Sequence, residues 1–597
     1  MDNATSLLKA GKPFEAAAVL GALLAKEPKN AVAAHLMGLA LKDTGDLVEG
    51  EKWLRFSILL QPNQGEFHSN LGNLLRKKKD LQGSERAYRE ALKQLPWHRD
   101  AQLGLALTLC ELNRAAEARD ICSRLLQANK CDAEAWEAMA IALTSLGFTA
   151  DAELAHRQAI DFNPNDAIAH HNLGTLLSEI GHSEAMASFE TARRLGVNGY
   201  ETAYHRARAA INAGDLETAQ CELESAVRSE PLSGEAQKAL AQVRFMRGDP
   251  AFARDLGAAV RVNRDNVSLQ HLLAELLWRT GELTAAETLL RDLAQRNTAS
   301  PKSRSTLAMV LLDQGRLEEA EIEALEAATV NPDAPGIAQN LVTILIARDR
   351  AEEAEPFIAA HLMRNPWAQD WLAFDAMTAR MLDKPRYHDL CDYERFIQIV
   401  DAEPPDGFIS IKEFNQALAA ALQPLHHMGG APLDHTVRNG MQTSRTLHFN
   451  PDPTVQSAIR AFHASIEEYR RKLTVPAEHP LAKVCRGSIR FKAAWSVRSQ
   501  REGFHINHIH TQGLVSSAYY VQVPDEAQDT DLQFGWLKFG EPSYAPPRLA
   551  PDFKVQPKPG RLVLFPSYMW HGTSPIHGPQ ERICIAFDAT TDVLIST

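Results

Sequence analysis

Nowhere in the chain do 18 consecutive apolar residues occur, so no segment reads as a membrane-spanning helix. A basic excess is missing too: 63 Lys and Arg stand against 75 Asp and Glu, a net charge of −12. Binding to a nucleic-acid backbone relies on clustered cations that this balance does not supply. The one dense basic run, RKKKD at 76–80, reads as a solvated helix end. Cysteine is sparse, and the seven residues at 110, 122, 131, 221, 391, 485 and 584 form no CxxC pair. That is the usage of a reducing compartment rather than of a disulfide scaffold. The opening residues, MDNATSLLKAGKPFEAAAVL, lack a basic stretch followed by an apolar one, so no signal peptide is read there. These absences predict a soluble, cytoplasmic protein with neither nucleic acid nor membrane as a partner.

What the chain does contain changes along its length. Ala and Leu dominate the first 370 residues, whereas Pro, Phe, Tyr and His crowd the last 200 of the 597. A chain this long holds two or more domains. Prolines stand at 28, 62, 96 and 164, separated by multiples of 34, and again at 332 and 366. In phase with them recur small residues, Gly38, Gly72, Ala106, Ala140 and Gly174, each after an apolar one. A residue without bulk lets two helices of a hairpin approach closely, and proline ends the second helix because it cannot continue one. The period of 34 resembles that of tetratricopeptide repeats. The resemblance implies about eleven units over 1–369, with the phase slipping by about two residues through 235–266. Such a solenoid offers a concave surface to a protein or peptide; self-association into a homo-oligomer is the open alternative.

A capping helix and linker are expected over 370–408, where the pattern decays and Pro-Pro-Asp-Gly at 404–407 marks a turn. Helical periodicity follows at 409–424 and 454–474. From 486 onward come short β-rich runs, at 486–497, 504–510, 515–523, 532–539, 561–566 and 582–588, separated by turn clusters. The predicted fold is therefore multidomain: an all-α solenoid, then a double-stranded β-helix (jelly roll) with flanking helices over 409–597. His508 and His510, one residue apart, point to one side of a regular strand, which is chelating geometry. His571 offers a third imidazole, and eleven positions on Arg582 opens another apolar run. Three neutral nitrogens and a fixed cation suggest a metal and an anionic cosubstrate.

HIHTQGLVSSAYYVQVP, FGWLKFGEP and KPGRLVLFPSYMWHGTSPIHGPQERICIAFD, with NGMQTSRTL at 439–447, resemble 2-oxoglutarate- and Fe(II)-dependent oxygenases carrying N-terminal tetratricopeptide repeats, relatives of the prolyl hydroxylases. The resemblance covers most of 400–597. It implies Fe(II), 2-oxoglutarate and O2, with 2-oxoglutarate converted to succinate and carbon dioxide while a C–H bond is hydroxylated. It implies His508 and His571 as metal ligands and His510 in the place where such sites usually carry Asp or Glu. A substrate-facing role for His510, with His505 as substitute ligand, stays open. Arg582 becomes the partner of the distal carboxylate of 2-oxoglutarate, and Tyr520 a second donor to it or a core residue. Ser516 and Thr573 would orient ligands, and Trp495, Phe565 and Trp570 would pack the barrel. The remaining C-terminal histidines, His426, His427, His435, His448, His463, His479 and His577, read as surface or structural. The expected activity is a dioxygenase hydroxylating a protein or peptide captured by the repeats. A non-catalytic adaptor and an oxygenase of small molecules are the competing readings.

Overall fold

The computed structural model describes residues 1–296, 300–426, 436–443 and 446–591. His427, His435 and two residues of the NGMQTSRTL motif, Ser444 and Arg445, lie outside them. The chain folds as two compact units, one formed by 1–177 with 184–198, the other by 178–183 with 199–597. None of the described helices is long and apolar enough to cross a membrane.

Helical hairpins of 34-residue spacing fill the first unit and open the second. First helices of successive hairpins begin at Ala31, Gly65, Arg99, Ala133, Ala167, Tyr200, Gly234, Val267, Pro301 and Pro335, and a closing helix spans Gln369–Met381. Two of those steps, from Ala167 to Tyr200 and from Gly234 to Val267, are 33 residues long. The expected two-residue slip is thus divided between two places. Many of the helices start on a side-chain cap: Asn30, Asp80, Asp132, Ser233, Asn266 and Ser300 each accept a hydrogen bond from the backbone N–H three residues on. The in-phase small residues do what their spacing implies. A Cβ on Gly72 would lie 2.7 Å from the Tyr88 ring, and one on Gly38 2.6 Å from Leu54.

Among the described residues of the second unit nine strands follow: β1 Gln398–Asp401, β2 Val437–Gln442, β3 Ile489–His505, β4 Val515–Gln522, β5 Leu537–Phe539, β6 Phe553–Val555, β7 Arg561–Pro566, β8 His571–Thr573 and β9 Arg582–Thr591. They make two antiparallel sheets, one of order β1-β7-β4-β9-β3-β2 and a smaller one of order β6-β5-β8. The expected antiparallel β domain with flanking helices is present. β1 lies within the segment predicted as cap and linker, where its four residues pair with β7 at the sheet edge.

Alternation along β4 sorts its side chains to two faces. Tyr519 points to the helices Ile411–Leu422 and Pro453–Lys472, donating to Asn415 Oδ1 at 2.7 Å and packing on Phe462. Tyr520 points the other way, into the space between the sheets, which Phe539 and Phe565 close with ring centroids 5.1 Å apart. One continuous apolar core joins the helices from Ala274 onward to the sheets as far as Ala589. The closing helix Gln369–Met381 contributes directly: Phe374 packs on Trp570, and Arg380 donates to the carbonyls of Gly540 and Ala550 at 2.7 and 3.0 Å.

Candidate metal centre

His508 and His510 do not lie on a regular strand. β3 ends at His505, and the expected strand over 504–510 is a short irregular extension of it. Ladder pairing stops because His508 instead exchanges both backbone hydrogen bonds with His571, at 2.8 and 3.0 Å, and His510 N–H donates to Ser567 O. The local pairing does the work that strand alternation was expected to do. It brings one nitrogen of each of the three rings within 4.8 Å of the others, with the Nε2 atoms of His508 and His510 3.0 Å apart.

The far side of each ring is held. His508 Nδ1 lies 2.8 Å from Ile506 O, His571 Nδ1 2.9 Å from Met569 O, and His510 Nδ1 2.6 Å from Asp588 Oδ1. Acceptors at all three Nδ1 atoms put the proton there and leave the Nε2 lone pairs facing one point. Burial, and after it the neighbouring His508 and His510, push the His571 pKa well below the ordinary histidine value. Three imidazole nitrogens gathered at one end of a cavity fit a divalent metal of the first transition row. Trp495 stacks on His510 at 5.6 Å and Phe565 meets His571 edge-on at 4.6 Å, so two of the three aromatics expected as packing also wall the triad.

A cavity of about 280 Å³ opens from the triad, and Arg582 and Tyr520 line it. Arg582 is 1% exposed and has no carboxylate partner among the described residues. It donates to Gly535 O at 3.1 Å, Ser499 Oγ at 3.2 Å and Thr573 Oγ1 at 3.4 Å, while its Nε has no acceptor among the described residues. The Tyr520 hydroxyl is buried and has no partner among the described residues. Burial raises its pKa although Arg582 pulls it down, so it stays a neutral donor. A buried cation without a counter-charge, next to an idle hydroxyl, suits a carboxylate ligand.

Residues 493–588 match the profile of the family described as "Putative 2OG-Fe(II) oxygenase". Tetratricopeptide-repeat profiles match 75–142, 157–186, 204–268 and 271–340. The chain carries tetratricopeptide repeats and, C-terminal to them, a domain that matches this oxygenase family. It is similar to protein FlbA of Caulobacter vibrioides, 25% identical over 173 residues, 29% of this chain and 29% of that one. Protein y4yS of Sinorhizobium fredii is 35% identical over 100 residues, 17% of this chain and 55% of that one. The chain thus spans 29% and 55% of the length of these two relatives. The crystal structure of yeast Tom70 aligns with 66% of this chain and 96% of its own at 13% identity, with a TM-score of 0.37.

Within the oxygenase domain the other anticipated residues divide by what they touch. Ser516 donates to Asp588 at 2.8 Å and so reaches His510 through it. Thr573 Oγ1 accepts from Arg582 and from the His505 backbone, and touches no imidazole of the triad. His505 lines the cavity beside Thr436, outside the triad. Trp570 faces the helical repeats through Phe374. Asp588 is the residue that spacing did not reveal. Its signal was an acid inside the apolar run ICIAFD, a position that strands seldom give to a carboxylate without a buried partner.

Proposed function

We propose that the protein is a 2-oxoglutarate- and Fe(II)-dependent dioxygenase that hydroxylates a side chain of a protein or peptide recruited by its repeats. The reading assigns capture to repeats over 1–369, capping and connection to 370–408, and catalysis to 409–597 in a double-stranded β-helix. The observation that carries it is the conjunction of a three-histidine cluster and an uncompensated buried arginine in one cavity. A reducing cytoplasm suits its seven free thiols.

When bound, Fe(II) with 2-oxoglutarate and O2 supplies the oxidative decarboxylation and the transfer of oxygen to a C–H bond. His508, His510 and His571 hold the metal through Nε2, with their tautomers fixed from behind. Arg582 would clamp the distal carboxylate of 2-oxoglutarate, and the Tyr520 hydroxyl would donate a hydrogen bond to the same group. Trp495 and Phe565 exclude water on two sides of the ligands. Repeats bind extended chains on their concave surface, which supports a macromolecular substrate.

The test is anaerobic titration with Fe(II) and then 2-oxoglutarate, followed by the weak visible charge-transfer band of a chelated keto acid. A band in the wild type that is lost in His510→Ala and Arg582→Ala supports the reading; absence of a band and of tight metal refutes it. Succinate release that depends on an added peptide would then separate a protein hydroxylase from an oxygenase of small molecules.

A further inference from the structure

The three ligand candidates are not held alike. His508 and His571 lean on neutral backbone carbonyls, whereas His510 leans on a carboxylate, at the position where related sites bind the metal through an acid. Asp588 lies on β9, 78 residues from His510, with its side chain 1% exposed. Its Oδ1 accepts from His510 Nδ1 at 2.6 Å and from Ser516 Oγ at 2.8 Å. Ser516 Oγ is in turn 2.9 Å from Ser567 Oγ, and the Ser567 carbonyl holds the His510 backbone. Gly513 makes room for the arrangement, since a Cβ there would lie 2.8 Å from Ser567 Oγ and 3.1 Å from Asp588 Cβ.

Resting on the metal-centre reading above, we infer that Asp588 is the fourth member of the site: through His510 it supplies the negative charge that a directly bound carboxylate supplies elsewhere. A carboxylate behind an imidazole N–H makes the opposite nitrogen a stronger donor, and in a buried site its charge is poorly screened. The acid has moved one ring outward from the metal. Asp588 is a positioning and charge-supplying residue, since it touches the ligand and not the metal.

The discriminating variants are Asp588→Asn, which keeps shape and an acceptor oxygen but drops the charge, and Asp588→Glu, which keeps the charge. The full chain is titrated anaerobically with Co(II) by calorimetry, with His508→Ala as control and thermal unfolding as a check on folding. Asp588→Asn is expected to bind Co(II) about 10–100-fold more weakly than wild type, and Asp588→Glu within about threefold of it. The Fe(III)/Fe(II) midpoint potential of the iron-loaded Asn variant should move to more positive values, which loss of ring orientation alone would not produce.

Co(II) binding by Asp588→Asn within about threefold of wild type overturns the inference and leaves the metal centre standing. Equal losses in the Asn and Glu variants also overturn it, because charge would then not be the cause. If Asp588→Asn does not fold, the Glu variant decides: near wild-type binding supports the inference and a tenfold loss overturns it. Wild-type protein whose Co(II) binding is absent, or unchanged by His508→Ala, removes the metal centre itself and the inference with it.

Discussion

For the ligand-free fold, Arg582 and Tyr520 are worse than their apolar replacements. Among the described residues, one is a buried charge without an acid partner and the other a buried hydroxyl without an acceptor. Replacing such groups by apolar ones of similar size is neutral to stabilising, because their desolvation is no longer suffered. Arg582→Met and Tyr520→Phe should therefore each stabilise the apoprotein, by about 1 kcal/mol. Both should weaken 2-oxoglutarate, Arg582→Met beyond detection and Tyr520→Phe about tenfold. Thermal unfolding without ligand and 2-oxoglutarate titration of the Co(II) form check the two signs, and a destabilised Arg582→Met protein would show the guanidinium to be structural. His508 and His510 could be read together because one residue separates them, whereas no local window joins them to His571 or Arg582. Asp588 reaches His510 only through the pairing of β9 with β4, a register that no window of sequence contains.

The repeating helices were the most legible elements, since many carry their own cap and several first helices a close-approach glycine. β1 was not, because QIVD is four residues long and its only reason to be a strand is the edge of β7. The HxH segment was right in outcome and wrong in cause: the two rings converge through the exchange between His508 and His571, not through a regular pleat. The link between 540 and 552 is decided by tertiary contacts alone. Tyr544 donates to Asp313 at 2.6 Å, Arg548 pairs with Asp349, and Arg380 holds both Gly540 and Ala550. Gly540 N–H donates to Trp570 O, one residue from His571. Arg380→Ala removes two hydrogen bonds from a charged donor, so a loss of about 2–3 kcal/mol is expected, with faster proteolytic cleavage between 540 and 552. Urea unfolding and a timed digest measure both.

Over the whole molecule, acid should unfold the protein through its buried histidines before its carboxylates matter. Burial, and then Lys42, lowers His35 to about 4; burial, and then Lys302, lowers His271 to about 4; burial alone lowers His448 to about 4. A folded-state pKa below the unfolded one means stability that is complete above about 6.5 and is lost as pH falls toward 4. Each such histidine contributes at most ~1.4 kcal/mol per pH unit within that window. His271→Gln should flatten the pH dependence of the second unit between 6.5 and 4 in urea titrations, at some cost in stability at pH 8. An unchanged slope would show that this ring is not the group being protonated. The apolar core from Ala274 to Ala589 has a bearing on descent as well. Where repeat arrays can be shuffled between proteins, new binding partners come cheaply by recombination. Here a crossover after the closing helix Gln369–Met381 would discard Phe374 and Arg380, and with them the wall behind Trp570 and the neighbouring His571. The last repeats and the oxygenase domain should be inherited together.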